Sequence, residues 1–277
     1  MSKVWLITGA TRGIGAQIAR AALAAGEKVV ATGRSSSKIE EALGPTDRLL
    51  ALTLDVTDHD QALEVVRTAV ERFGRIDVLV NNAGYGLIGA VEECSSAELA
   101  DQFATNVLGV AAVTRAVLPI MRAQRSGHIF NMSSAAGIVA FPGASGYCSS
   151  KFAVEGLTES LAQEVAPLGI KVTMVEPGYM RTEFLESPSA VYAERVIDDY
   201  DSTAGAMRRG SRSISLKQPG DPRKLAQAFL TLASAANPPL RFVGGTDSVS
   251  FLEQALATKR EELETWRHLS MSLGYEE

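Results

Sequence analysis

A chain of 277 residues that is 46% hydrophobic and 21% charged can bury a substantial core, which excludes a disordered polymer. Its net charge of −5, with no run of Lys and Arg, argues against nucleic-acid binding, which rests on neutralising many phosphates. Cys94 and Cys148 make no disulfide framework, and His59, His128 and His268 lack metal-ligand spacing, so packing is expected of all five and no metal is expected.

The chain opens MSKVWLITGA, an apolar run far too short for a signal peptide that leads straight into a glycine turn. No stretch reads as the roughly 20 apolar residues that cross a bilayer. A soluble, cytoplasmic protein without a membrane span is the expectation. In chain order, near-continuous apolar runs at 3–8, 28–33, 49–54, 76–81, 128–133 and 170–176 predict strands buried on both faces of a parallel sheet. Helical periodicity fills the gaps near 13–25, 58–73, 96–123 and 147–166. The alternation predicts one α/β domain over 1–277, a doubly wound parallel sheet with helices on both faces. After residue 178 the alternation stops. Residues 179–220 are polar and aromatic, show no regular strand, and predict a substrate loop or lid. A helix near 222–236, a short strand near 241–245 and a C-terminal helical extension over 246–277 complete the chain.

TGATRGIG (8–15) ends the first strand and opens the first helix. Gly9 permits the sharp turn, Gly13 admits a ligand close to the backbone, and Gly15 lets the helix approach the sheet. The free amides at the helix start favour a pyrophosphate. Thr11, Arg12 and Ile14 therefore join the glycines as cofactor-binding candidates of a Rossmann-type domain. A dinucleotide site usually carries an acid after the second strand, for the ribose 2′-hydroxyl. Here Gly33 stands in that place and Arg34 follows. Arg12 and Arg34 fit a 2′-phosphate, which a guanidinium holds bidentately, so NADP(H) is expected in preference to NAD(H).

The glycine loop, NNAG (81–84) and YCSSK (147–151) stand in the order and near the spacings of the short-chain dehydrogenase/reductase family, which residues 3–184 resemble. YCSSKFAVEGLTESLA looks like the branch containing 17β-hydroxysteroid and retinol dehydrogenases. The resemblance implies an oxidoreductase that interconverts an alcohol and a ketone or aldehyde by hydride transfer. It assigns adenine contacts to Asp55 and Val56, and the cofactor floor to Asn81, Asn82, Ala83 and Gly84. Pro177 and Gly178 would form the turn under the nicotinamide, with Thr182 on its carboxamide and the Tyr179 backbone nearby. The catalytic set it implies is Asn106, Ser134, Tyr147 and Lys151. Ser133, one position away, is the alternative serine.

The chemistry gives each a reason. Tyr147 and Lys151, four apart on a helix, share a face. A carbonyl that receives hydride at carbon develops negative charge on oxygen and must be protonated. Free tyrosine, with a pKa of about 10, exchanges protons poorly at neutral pH. Lys151 and an oxidised nicotinamide ring are expected to lower that value, making Tyr147 a general acid or base and leaving Lys151 to hold the nicotinamide ribose as well. Ser134 would hydrogen-bond the substrate oxygen. Asn106, mid-helix in FATNVLGV, suits a kink or a water relay.

Many family members end in a DGG-like strand that helps build a tetramer. RFVGGTD (241–247) leads instead into a helix with Leu252, Leu256, Leu263, Trp266 and Leu273 on similar faces. That leaves a homodimer, a homotetramer or a monomer open; two readings of the tail stand, that it covers the substrate mouth or, as expected, that it packs on the core. Aromatic and Met residues in 179–207, with Leu87 and Phe141, predict a fairly apolar alcohol or ketone as substrate. Two other readings use the same scaffold: an NADP-sensing regulatory protein, and a dehydratase or epimerase with the same tyrosine as base.

Overall fold

The computed structural model describes residues 2–275. Its strands are β1 (Val4–Ile7), β2 (Lys28–Gly33), β3 (Leu49–Thr53), β4 (Val78–Asn81), β5 (Gly86–Ile88), β6 (Gly127–Met132), β7 (Ile170–Pro177), β8 (Ala190–Tyr192) and β9 (Arg241–Gly244). Seven of them form one parallel sheet in the order β3-β2-β1-β4-β6-β7-β9. Growth from β1 goes one way through β2 and β3 and the other way through β4, so the topology reverses between β1 and β4. That reversal opens a crevice at the carboxyl ends of the strands, where α/β sheets bind ligands.

Alternate residues of each strand serve opposite helix layers. Val4 and Leu6 pack with α3 (His59–Phe73), α5 (Gly109–Gln124) and α6 (Ser145–Val165), through Val66, Val113, Val117 and Leu161. Trp5 and Ile7 pack with α1 (Gly13–Ala24), α2 (Ser36–Leu43) and α8 (Pro222–Ser234), through Ile18, Ile39, Leu225 and Phe229. The doubly wound α/β domain is thus present, with a core on each face of the sheet.

Four features differ from the expectation. Helix α2 was not foreseen, because Ile39 is its only buried residue and leaves no apolar stripe to read. Segment 179–220 does contain regular structure: β8 pairs in parallel with β5, and α7 (Ala206–Ile214) follows. Helix α9 (Thr246–Met271) starts where expected, but from Leu256 onward its apolar residues stay exposed, Trp266 at 62%, and it does not pack on the core. Residues 276 and 277 of the expected extension lie outside the described residues. Finally, Ser96–Gln124 is one continuous helical run, α4 (Ser96–Phe103) and α5 joined through a π-helical turn at Ala104–Leu108, and is long and apolar enough by composition to cross a bilayer. Val113, Ala116, Val117 and Met121 instead pack into the core beside the sheet. Cys94, Cys148 and His128 are buried as packing residues, whereas His59 and His268 are exposed.

Candidate active site

The glycine loop sits at the reversal point. Gly9 has φ +66° and Gly13 φ +58°, in the left-handed region that side chains avoid. A Cβ on Gly15 would stand 2.4 Å from the Gly9 carbonyl oxygen, so only glycine lets α1 begin this close to the loop. Around Gly13 the nearest atom to such a Cβ is Thr182 Cβ at 3.8 Å, which leaves backbone accessible and brings loop and 179–220 segment together. No side chain caps α1. Its first-turn amides suit an anion.

NNAG fastens this loop more than it floors it. Asn82 Nδ2 donates to the Thr8 and Gly9 carbonyls, and Thr8 Oγ1 accepts from the Asn82 and Ala83 amides. Asn81 lies one layer deeper, donating to Thr114 and Asn131. Gly84 abuts Asn106. Ile14 packs on the core beside α1.

On the adenosine side, a Cβ on Gly33 would meet Thr11 Cγ2 at 2.7 Å. An acid there would have to displace Thr11. Arg34 is exposed and its charge helps hold Asp55 below the usual carboxylate range, after the two hydrogen bonds from Thr57 that dominate. Val56 is buried beneath Gly109. Arg12 points elsewhere than expected: its Nη2 donates to Ser189 Oγ at 2.6 Å and its Nη1 lies 3.9 Å from Glu183 Oε2. These contacts tie Arg12 to the 179–220 segment.

Tyr147 and Lys151 do share a face of α6, with Lys151 Nζ 5.7 Å from the Tyr147 ring centroid. Lys151 is buried and donates to the Met132 carbonyl at 2.7 Å. Ser134 opens a short turn with its Oγ accepting from the Ala136 amide, and its hydroxyl pulls the Tyr147 pKa downward. Burial outweighs that pull and pushes Tyr147 up to about 12. Lys151 does not offset that burial: its ammonium lies by the ring and donates to a carbonyl, and desolvation pushes Lys151 itself down to about 8.

Asn106 sits in the π-helical turn. Its Nδ2 donates to Tyr85 O and Ser150 Oγ, and its Oδ1 accepts from the Tyr85 amide. It therefore ties the loop at 82–85, between β4 and β5, to the helix that carries Tyr147. Single π-turns inside helices gather at functional sites.

Beyond Pro177, Gly178 N donates to Gly244 O and Tyr179 N to Asp247 Oδ2. Thr182 Oγ1 accepts from the Phe184 amide, and Gln218 Nε2 donates to Thr182 O. Phe184 lies over Tyr147, ring centroids 5.8 Å apart, and Phe141 meets Phe251 at 5.3 Å. Leu87 is not on a pocket surface but fully buried with Cys94 and Ala193. Tyr192 lies under Arg212 and Tyr200 bonds Glu92, so neither faces Tyr147.

With this geometry in view, the sequence matches the model for short chain dehydrogenases over residues 3–191. The chain belongs to the short-chain dehydrogenases. Within the family it is 41% identical over 274 residues to Oxidoreductase BOA17 of Botryotinia fuckeliana, covering 98% of this chain and 99% of that one. It is 37% identical to a 3-ketodihydrosphingosine reductase of Bacteroides thetaiotaomicron, covering 86% of each. A solved short-chain dehydrogenase from Streptomyces avermitilis shares the fold with TM-score 0.93 and 42% identity over 99% of this chain and all of that one. ElxO with NADP bound (TM-score 0.73, 32% identity, 90% and 100% covered) and a Burkholderia phymatum family member in complex with NAD (0.77, 26%, 98% and 95%) are similar as well. The protein is an NAD(P)-dependent oxidoreductase of this family, and the glycine loop, the uncapped α1 and the space at Gly13 suit such a dinucleotide.

Several residues at the site escaped the sequence. Thr8, Gln218 and Asp247 hold loops through ordinary polar side chains; Thr8 and Asp247 lie at the ends of TGATRGIG and RFVGGTD, but those motifs assign neither a role. Asp247 had one signal, its place in the first turn after a strand ending in two glycines.

Proposed function

We propose that this short-chain dehydrogenase interconverts a fairly apolar alcohol with its ketone or aldehyde, using NADP(H) in preference to NAD(H), with Tyr147 as general acid and base. The observation that carries the reading is the convergence of Ser134, Tyr147 and Lys151 beside the glycine loop, under the apolar ring of Phe184. The cofactor would supply or accept hydride. Tyr147 would protonate the substrate oxygen in reduction and take its proton in oxidation. Burial raises its pKa in the protein alone, and Lys151 with a bound oxidised ring would lower it toward the range in which a phenol gives up or takes a proton readily. Ser134 would donate to the oxygen, and Asn106 would hold the Tyr85 loop against α6. Asp55 and Val56 would receive the adenine, and Gly178 and Thr182 the carboxamide.

Gly33 and Arg34 support the NADP(H) preference: Thr11 occupies the room an acid would need, and Arg34 is exposed for a 2′-phosphate. Residues 179–220 would act as the lid. The 3-ketodihydrosphingosine reductase among the relatives agrees with an apolar carbonyl, while the other relatives are named only as oxidoreductases and do not select the steroid or retinoid branch. Two buried free thiols suit a reducing cytoplasm.

The test is a fluorescence titration with NADPH and NADH in wild type and Arg34→Ala, followed by a panel of ketones with Tyr147→Phe as control. Tighter NADPH binding that weakens in Arg34→Ala, and turnover lost in Tyr147→Phe, are expected. Equal binding of both cofactors would sink the 2′-phosphate assignment.

A further inference from the structure

The active-site face of α6 continues past Lys151. Glu155 comes one turn later, so Tyr147, Lys151 and Glu155 form a row at i, i+4 and i+8. The row meets three consecutive residues at the end of β6. Ser134 stands by Tyr147, the Met132 carbonyl accepts from Lys151, and Ser133 lies beside Glu155. The last contact is tucked under Gly137, where an added Cβ would stand 2.5 Å from Ser133 Oγ and 3.1 Å from Glu155 Oε1. From β7, Glu176 brings a second carboxyl to the same place. Glu155 is 9% exposed and Glu176 1%. Ser133 Oγ, Glu155 Oε1 and Glu176 Oε2 are all buried without a hydrogen-bond partner.

The charges facing this pair come from three elements. Lys151 and Glu159 lie on α6. Arg241 on β9 places Nε 3.6 Å from Glu155 Oε2 and 3.8 Å from Glu176 Oε1, beyond hydrogen-bond reach, and commits Nη2 to Glu159 at 2.8 Å. From α9, Ser248 donates to the Glu176 carbonyl, while Asp247 is turned to Tyr179. Arg241 is shared between the two at that range and Lys151 gives its hydrogen bond to the Met132 carbonyl, so two buried carboxylates are poorly compensated, and like charges held together favour one retained proton.

We propose that Glu155 and Glu176 share one proton and jointly present a single negative charge that keeps Lys151 protonated. Both are then positioning residues for proton transfer at Tyr147, a consequence that rests on the oxidoreductase reading. Burial pushes both carboxyls above the usual range, Glu176 to about 7, in keeping with a retained proton near neutrality. Burial also pushes Lys151 down, with Glu155 the opposing influence.

The pair makes a sign-opposed prediction. Glu155→Gln removes the carboxyl nearest Lys151 in the row, so Lys151 should titrate about one pH unit lower. Glu176→Gln removes the competitor for charge and leaves Glu155 ionised, so Lys151 should titrate higher. NMR of protein labelled with ε-13C lysine, the Lys151 signal assigned by Lys151→Met, reads both shifts without substrate. Infrared spectroscopy of the wild type near pH 6 should show a buried protonated carboxyl that Glu176→Gln abolishes. If the two variants move Lys151 in the same direction, or no protonated carboxyl is seen, the proposal is overturned. In turnover, the pH profile of kcat should move down for Glu155→Gln and up for Glu176→Gln. Opposed NMR shifts with no turnover of any carbonyl would uphold the shared proton and count against the oxidoreductase reading instead.

Discussion

Replacing Arg208 by leucine should loosen the 179–220 segment from the body of the protein. Arg208 on α7 reaches Glu93 in the loop after β5 through two hydrogen bonds, 2.7 Å and 3.1 Å. The Glu93 side chain is 0% exposed and that of Arg208 12%. The same carboxylate also accepts from the amides of Ala90 and Ile197, so it pins three stretches of chain at once. Removing one partner of a buried pair strands the other charge and costs about 3–5 kcal/mol. The two remaining amide bonds keep Glu93 partly satisfied, which places the loss near 3 kcal/mol and the fall in Tm at about 6 °C. The companion variant, Glu93→Gln with Arg208→Leu, removes both charges while the side-chain oxygen can still accept from a backbone amide, and should recover part of that loss. Urea unfolding gives the free energies, and hydrogen exchange over 190–214 locates the opening, which should exceed that over 222–234. The wild-type pair should also resist acid: Arg208 holds Glu93 down to about 2, so its contribution is full above the ordinary glutamate range and fades only as pH falls toward 2. The reasoning fails if Arg208→Leu stays within about 1 kcal/mol of wild type with exchange unchanged.

Two further substitutions probe other physics. Gly15→Ala forces a Cβ to within 2.4 Å of the Gly9 carbonyl and 2.5 Å of Asn82 Nδ2, so NADPH affinity should fall at least tenfold in a fluorescence titration, or about 1.4 kcal/mol. His128 is buried, its pKa pushed from 6.5 to about 3 chiefly by desolvation, so the fold favours the neutral ring. Its stability contribution is full above pH 6.5 and is lost as pH falls from there toward 3. The wild type should shed up to about 1.4 kcal/mol per pH unit below that point, a slope that urea midpoints of His128→Leu should lack.

The main sheet was legible because its strands are apolar on both faces, and each of the first six is followed by a turn or a periodic helix. The glycine loop was legible for a related reason, since positive φ at Gly9 and Gly13 demands a residue type that stands out. By contrast, β8 is three residues long and owes its existence to β5, a hundred residues earlier, so no local pattern announces it. The direction of Arg12 was equally hidden, because its acceptor Ser189 lies 177 positions away. Tyr147 and Lys151 were visible from their spacing, yet the sign of the Tyr147 shift was not. Spacing reports which groups share a face, while the shift depends on how much water the fold removes. Glu155 has no local signal in the sequence, because its setting depends on Glu176, which β7 brings from elsewhere in the chain.

The order of the strands also bears on how the protein is made. Synthesis delivers β1 first, and each later strand of the main sheet adds to an edge already present, on one side or the other. The last strand is β9, and just beyond it Asp247 grips the amide of Tyr179 beside Gly178. Domains fold as their chains emerge. A nascent chain that has not yet reached residue 247 can therefore pair most of its sheet while the loop after β7 still misses its tether. The tether that completes the loop after β7 leaves the ribosome only after every strand of the main sheet has done so.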